Sequence, residues 1–339
     1  MSMFQKILDK PVSTASVFGK KEMEGDFGIE LEVEALRAVP LAVPREWVAK
    51  EDGSLRNVSK EYVTVGIQSR TPEFFHSLSI LCSDINHKDN GLILDSPRTS
   101  VHVHVNVTKF PIAVTWTGII AWWLYEDYLI NLLCCPRRRQ GNHFCLPLSS
   151  APGMLESLIK HIQTKNINHL ADENLKYGAQ NIWSLTKFGS VEYRCLEGRY
   201  DPLYIYQYSS MLVSLYERVQ ELYKNPAEFS KDVQKRGLVR VFASLFKLPD
   251  NLREKTSIRK LEDMCEGSLS FIHAACNCTT NWGWNNKNTP KKGKWDLDFI
   301  DDAPAPMPVG DPVAQVQGEQ EAFDWDQIMR NLRNNPPRR

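Results

Sequence analysis

The sequence predicts an α+β fold: an antiparallel β-sheet with one polar face, helices packed on its other face, and a helical C-terminal part. Two observations carry that prediction. Gly28 to Leu36 (GIELEVEAL), Ser100 to Thr108 (SVHVHVNVT) and Ser190 to Glu197 (SVEYRCLE) alternate apolar with titratable or polar residues, which is the period of a strand buried on one face. Long apolar or helically spaced segments separate and follow these stretches, above all Trp116 to Cys135 (WTGIIAWWLYEDYLINLLCC), and they supply the covering layer.

Taken in order, residues 1–24 read as a mixed, polar N-terminal extension, and residues 25–284 as one domain. The first strand places Glu30, Glu32 and Glu34 on one face and Ile29, Leu31 and Val33 on the other. Asp52-Gly53 is a hairpin signal between extended segments, and a helix follows with Phe74, Phe75, Leu78 and Leu81 toward the core. The second strand presents His102, His104 and Asn106 opposite Val101, Val103 and Val105. The 116–135 stretch is long enough for a bilayer. Glu126 and Asp127 at its centre would each cost about 2.5–3.5 kcal/mol there, so a buried core helix is expected. Arg137-Arg138-Arg139 forms a basic loop beyond it, suited either to the helix dipole or to an anion. The third strand groups Glu192 with Arg194, opposite Val191, Tyr193 and Cys195. Helices are expected from Leu203 to Lys224, Ala227 to Leu245 and Ser257 to Ala275. Residues 285–339 are rich in Pro, Asp and Gly and read as a disordered tail. Its amphipathic stretch 323–332 (FDWDQIMRNL) is either a docking motif for a partner protein or a fold-back.

Lys plus Arg equals Asp plus Glu at 41 each, so no global field argues for nucleic acid or a membrane as partner. A small-molecule or peptide partner is expected. Eight cysteines in irregular positions without a signal peptide read as reduced thiols in a cytoplasmic protein. Cys276-x-Cys278 near His273 is not a usual zinc-finger spacing.

If the three strands share a sheet, its polar face is a floor of carboxylates, imidazoles and a guanidinium. Three like charges about 6.6 Å apart repel unless cations relieve them. Carboxylates with occasional imidazole suit Mg²⁺ or Mn²⁺. Two such ions beside Arg194 suit a phosphate group. No Walker A segment or G-x-G-x-x-G fingerprint is present, so a nucleotide would be held by metal and sheet.

These motifs in this order (GIELEVE, Asp52-Gly53-Ser54-Leu55, Glu61, VHVHV, the long helix ending near the arginines, SVEYRCLEGRYDP) resemble the phage and bacterial amidoligase family. That family belongs to the glutamine synthetase and glutamate-cysteine ligase superfamily of carboxylate-amine ligases. The resemblance covers about residues 26–220. It implies a glutamine synthetase-like catalytic domain using ATP and two Mg²⁺ or Mn²⁺ ions to join a carboxylate and an amine, in a bacterial or virus-infected cytoplasm. It further implies that Glu30, His102 and Glu192 hold the ion at the terminal phosphate, and that Glu32 and Glu61 hold the ion near the substrates. By the same resemblance Arg194 meets the phosphoryl group, His104 lies toward the nucleotide, Arg138 or Arg139 is a further phosphate contact, and Glu34 and Asn106 shape substrate binding. Glu61 and Glu197 are the candidates to take the proton of the incoming ammonium. The chain departs from the family pattern at Thr99-Ser100-Val101, where a glycine is usual, and at Tyr62, where a proline follows the Glu61 equivalent. Two other readings are a catalytically silent scaffold of the same fold and a hydrolase with zinc on His102 and His104.

Overall fold

A computed structural model describes residues 11–40, 42–87, 93–134, 145–151, 173–248, 256–269, 272 and 275. Arg137 to Arg139, the Cys276-x-Cys278 pair with His273, the 285–339 tail and its 323–332 motif lie outside these residues. The described strands are β1 (Phe27–Ala35), β2 (Trp47–Lys50), β3 (Val58–Thr64), β4 (Ser100–Asn106), β5 (Gln180–Asn181) and β6 (Ser190–Glu197). They form one six-stranded sheet of order β2-β3-β1-β4-β6-β5, antiparallel at every pairing. The three alternating segments are thus the adjacent strands β1, β4 and β6. This is the α+β arrangement expected from the sequence.

Among the described residues there are eight α-helices: α1 (Thr14–Val17), α2 (Pro72–Asn86), α3 (Ile112–Leu133), α4 (Ser184–Phe188), α5 (Pro202–Leu222), α6 (Pro226–Arg236), α7 (Leu238–Leu245) and α8 (Ile258–Cys265). The odd-numbered side chains of β1 and β4 are fully buried, and aromatic contacts identify what covers them. Phe27 of β1 meets Phe74 of α2 at 5.4 Å and Tyr206 of α5 at 6.4 Å, both edge-on. Tyr193 of β6 meets Trp122 of α3 at 4.7 Å, and its hydroxyl lies 2.8 Å from that of Tyr216 in α5. Helices α2, α3 and α5 therefore cover the apolar face.

Helix α3 is buried on every side except at Asp127, Asn131 and Leu132, as an all-round apolar helix should be. Gly118 lets α5 come close, because a Cβ there would stand 2.6 Å from Tyr216. The Glu126 carboxylate is buried but not orphaned. It accepts the Trp122 indole N–H at 3.0 Å and the Leu148 backbone N–H at 2.6 Å, as a buried carboxylate requires. Burial nonetheless pushes its pKa up to about 8. No described helix is long and apolar enough to cross a membrane.

One turn expectation holds with a longer loop, and two helix expectations need correction. The Asp52-Gly53 signal does mark a hairpin: β2 and β3 pair antiparallel, joined by a connection of seven residues. Asp52 closes it locally by accepting the Ser54 N–H and O–H at 2.8 and 2.9 Å, an Asx turn that competes with the tight hairpin. The helix expected over 227–245 is broken into α6 and α7 by Gly237, whose φ is +79°, a left-handed value that stops a helix. The helix expected over 257–275 is interrupted: α8 passes at Cys265 into a 3₁₀ turn, Glu266–Ser268, beyond which Leu269, Ile272 and Ala275 are again helical.

The register carries one irregularity. Val101 faces Leu196 and Val103 faces Tyr193, so two residues of β6, Arg194 and Cys195, stand opposite His102 alone. This is a β-bulge. Strict alternation would send Glu197 to the apolar face with Tyr193 and Cys195. The extra residue instead sets Glu197 opposite Ser100, on the same face as Arg194.

Candidate metal centre

Register alone assembles the polar floor. Glu30 pairs with His102, Gly28 with His104, His104 with Glu192 and Glu192 with Asn181. Glu32 pairs with Glu61 across β1 and β3. Neighbouring strands lie about 4.8 Å apart, so side chains in such rows touch.

At the centre, Glu30 Oε2 is 3.0 Å from His102 Nδ1 and Glu30 Oε1 is 3.2 Å from His104 Nε2. His102 Nδ1 is also 3.5 Å from Glu192 Oε1, and His104 Nε2 is 3.9 Å from Glu192 Oε2. The second nitrogen of each ring is held by a serine. Ser100 Oγ lies 2.7 Å from His102 Nε2 and bonds to Glu32 as well, while Ser190 Oγ lies 3.1 Å from His104 Nδ1. Arg194 Nη1 donates to Glu192 Oε1.

Glu30, His104 and Glu192 each offer a ligand atom, and these atoms all lie within 4.8 Å of one another. A six-coordinate cation with bonds of about 2.1 Å holds neighbouring ligands about 3 Å apart and opposite ligands about 4.2 Å apart, so a small inward movement suffices. A second observation points the same way: His104 Nε2 is buried without a hydrogen-bond partner. It faces the Glu30 carboxylate at 3.2 Å and the Glu192 carboxylate at 3.9 Å as an ion pair, and a buried imidazole nitrogen aimed at two carboxylates suits a metal. Two carboxylates and one imidazole are a donor set for Mg²⁺ or Mn²⁺. This trio substitutes His104 for the His102 of the set implied by the family resemblance. His102 faces the same two carboxylates, its Nδ1 3.0 Å from Glu30 Oε2 and 3.5 Å from Glu192 Oε1.

The electrostatics divide the floor. Burial raises the Glu30 pKa, but His104 and His102 outweigh it and hold the carboxyl well below the usual range. Glu192 is also lowered, its burial overcome by His104, Arg194 and His102. Burial lowers the His104 pKa, yet Glu192 and Glu30 lift it to about 9. Without a metal, a proton on His104 thus supplies the positive charge. Glu61 behaves in the opposite way: burial first, then Glu30, Asp52 and Glu32, push its carboxyl up to about 7.

The remaining expected residues fall into place unevenly. Glu32 and Glu197 are buried on the floor, Glu197 by virtue of the bulge. Glu34 accepts the Arg56 backbone N–H at 2.6 Å, and so fixes the β2–β3 connection. Asn106 donates to the carbonyls of Met23 and Gly25 at 2.8 and 2.9 Å and accepts the Thr108 N–H and hydroxyl at 3.1 and 2.7 Å, which ties the N-terminal segment to β4. Three floor residues escaped the sequence reading. Ser100 and Ser190 share the parity of the histidines and of Glu192, and that parity was the available signal. Asn181 sits in a two-residue strand with no periodicity to announce it.

No protein-family profile matches this chain, and no curated protein matches it in sequence.

Proposed function

We propose that the protein is an ATP-dependent carboxylate-amine ligase with a glutamine synthetase-like catalytic domain, forming an amide bond through an acyl phosphate. The observation that carries this reading is the Glu30, His104 and Glu192 trio beside Arg194, on the polar face of an antiparallel sheet. Bound there, Mg²⁺ or Mn²⁺ would neutralise phosphate oxygens.

In the proposed reaction, a substrate carboxylate oxygen attacks the γ-phosphorus of ATP and ADP leaves, giving an acyl phosphate. The amine nitrogen then attacks the acyl carbon, and inorganic phosphate departs as the amide forms. The reaction needs positioning and charge neutralisation more than a protein nucleophile. Arg194 has a raised pKa, its burial outweighed by Glu192, Glu32 and Glu30, so it stays cationic to meet the transferring phosphoryl group. Glu192 and Arg194 hold each other in place before any ligand arrives. Glu61, with its pKa at about 7, is matched to take a proton from an ammonium near neutral pH.

The test is ADP and phosphate release with Mg²⁺ against a panel of carboxylates and amines, with hydroxylamine added to trap an acyl phosphate as a hydroxamate. Wild type should turn over and Glu30→Ala and Glu192→Ala should not. Tight ATP binding with no turnover on any pair favours a silent scaffold instead, and hydrolysis without ATP favours a hydrolase.

A further inference from the structure

Glu192 carries two fixed oxygens, and each accepts a hydrogen bond from a different donor. Oε1 receives Arg194. Oε2 receives the side-chain amide of Asn181, Nδ2 to Oε2 2.5 Å. Asn181 is 2% exposed and stands directly across the strand pair from Glu192.

The orientation of this amide is determined by its other end. Asn181 Oδ1 accepts the Trp183 backbone N–H at 2.9 Å. Turning the amide over would set its NH₂ against that N–H and its oxygen against the Glu192 carboxylate, two repulsive contacts in place of two bonds. The segment carrying Asn181 is itself pinned. Ser184 Oγ donates to the carbonyls of Asn181 and Ser190 at 2.9 and 2.6 Å, and the Arg194 N–H donates to the Ala179 carbonyl at 2.8 Å. Asn181 can therefore present only a donor to Glu192.

We infer that Asn181 is a positioning residue: its amide sets the rotation of the Glu192 carboxylate so that the remaining lone pairs of both oxygens face Glu30 and His104. It touches neither the cation nor the substrate. This inference rests on the cation-site reading above. Outer partners of metal ligands of this kind contribute about 10–100-fold to metal affinity.

The test is Mn²⁺ binding to the full chain, followed by electron paramagnetic resonance titration and by calorimetry, for wild type, Asn181→Asp, Asn181→Ala and Glu192→Gln. Thermal unfolding of the metal-free proteins is recorded in parallel. Asn181→Asp is isosteric and loses only the donor, while adding negative charge next to the site. A positioning role weakens Mn²⁺ binding about 10–100-fold in both Asn181 variants, and changes the spectrum of the Mn²⁺ that remains bound, with the metal-free fold retained in at least one. Wild-type affinity in both variants overturns the inference, and so does tighter binding by Asn181→Asp, which would report added charge alone. Loss of affinity that only follows loss of the metal-free fold in both variants also overturns it, as a purely structural role. If wild type itself binds no Mn²⁺, the cation-site reading is what fails, and the inference falls with it.

Discussion

The two ends of the polar floor hold the same kind of residue in opposite electrostatic states. Around Glu30 and Glu192, two imidazoles and a guanidinium approach the carboxylates, and both acids are held below their usual pKa. Around Glu61, the neighbours are Glu30, Asp52 and Glu32, and the acid rises to about 7. One end is balanced by the chain's own cations and one is short of positive charge. The difference teaches what a cation would do at each end: at the first it would displace the proton on His104, and at the second it would offset repulsion.

The largest expected effect lies at the balanced end. Glu192→Gln removes a ligand oxygen charge and the partner of Arg194, and Mn²⁺ affinity should fall at least about 100-fold, more than for loss of an outer partner. Calorimetric titration measures it, and unchanged affinity would break the assignment of this end as the cation site.

The next effect is the exchange of ion for proton. With His104 at about 9 in the metal-free chain, a cation at Nε2 must displace one proton below that pH. Mn²⁺ affinity should therefore rise by up to about tenfold per pH unit between pH 7 and pH 9 and flatten above. Titrations in buffers of different ionisation enthalpy should report about one proton released at pH 7. The sign for stability is the reverse: the raised His104 pKa favours the fold fully below about 6.5, and that contribution is lost as pH rises through about 9.

The smallest effect belongs to the deficient end. An acid with a raised folded pKa disfavours the fold as it ionises, so metal-free stability falls as pH climbs from the ordinary value of 4.5 through about 7. Glu61→Gln removes that slope. Its thermal midpoint should exceed that of wild type by a few degrees at pH 8 and match it near pH 4.5. A midpoint below wild type at pH 8 would show that the two ends are not opposites.

Much of this floor is legible in the sequence because strand parity is a strong constraint. Glu30, Glu32, His102, His104 and Glu192 follow from period two and adjacency alone. The rest depends on information that period two does not contain. Which nitrogen of each ring faces the carboxylates depends on Ser100 and Ser190, whose hydroxyls hold the other one. Asn181 lies in a strand too short to show a period. Glu34 and Asn106 share the right parity but sit at strand ends, where loop backbone competes for their polar groups. Gly237 shows the same limit in the fold, since a single residue of positive φ overrides an otherwise continuous helical pattern.

The bulge opposite His102 has a further consequence. It acts as a change of reading frame within β6: residues before it are in one phase and residues after it in the other, so Arg194 and Glu197, three apart, look the same way. Pairing β6 in strict alternation with every residue kept would turn one half of the strand over, sending either Glu192 with Arg194 or Glu197 into the apolar layer beneath α3 and α5. The regularity of this sheet and the chemistry of its upper surface are therefore alternatives.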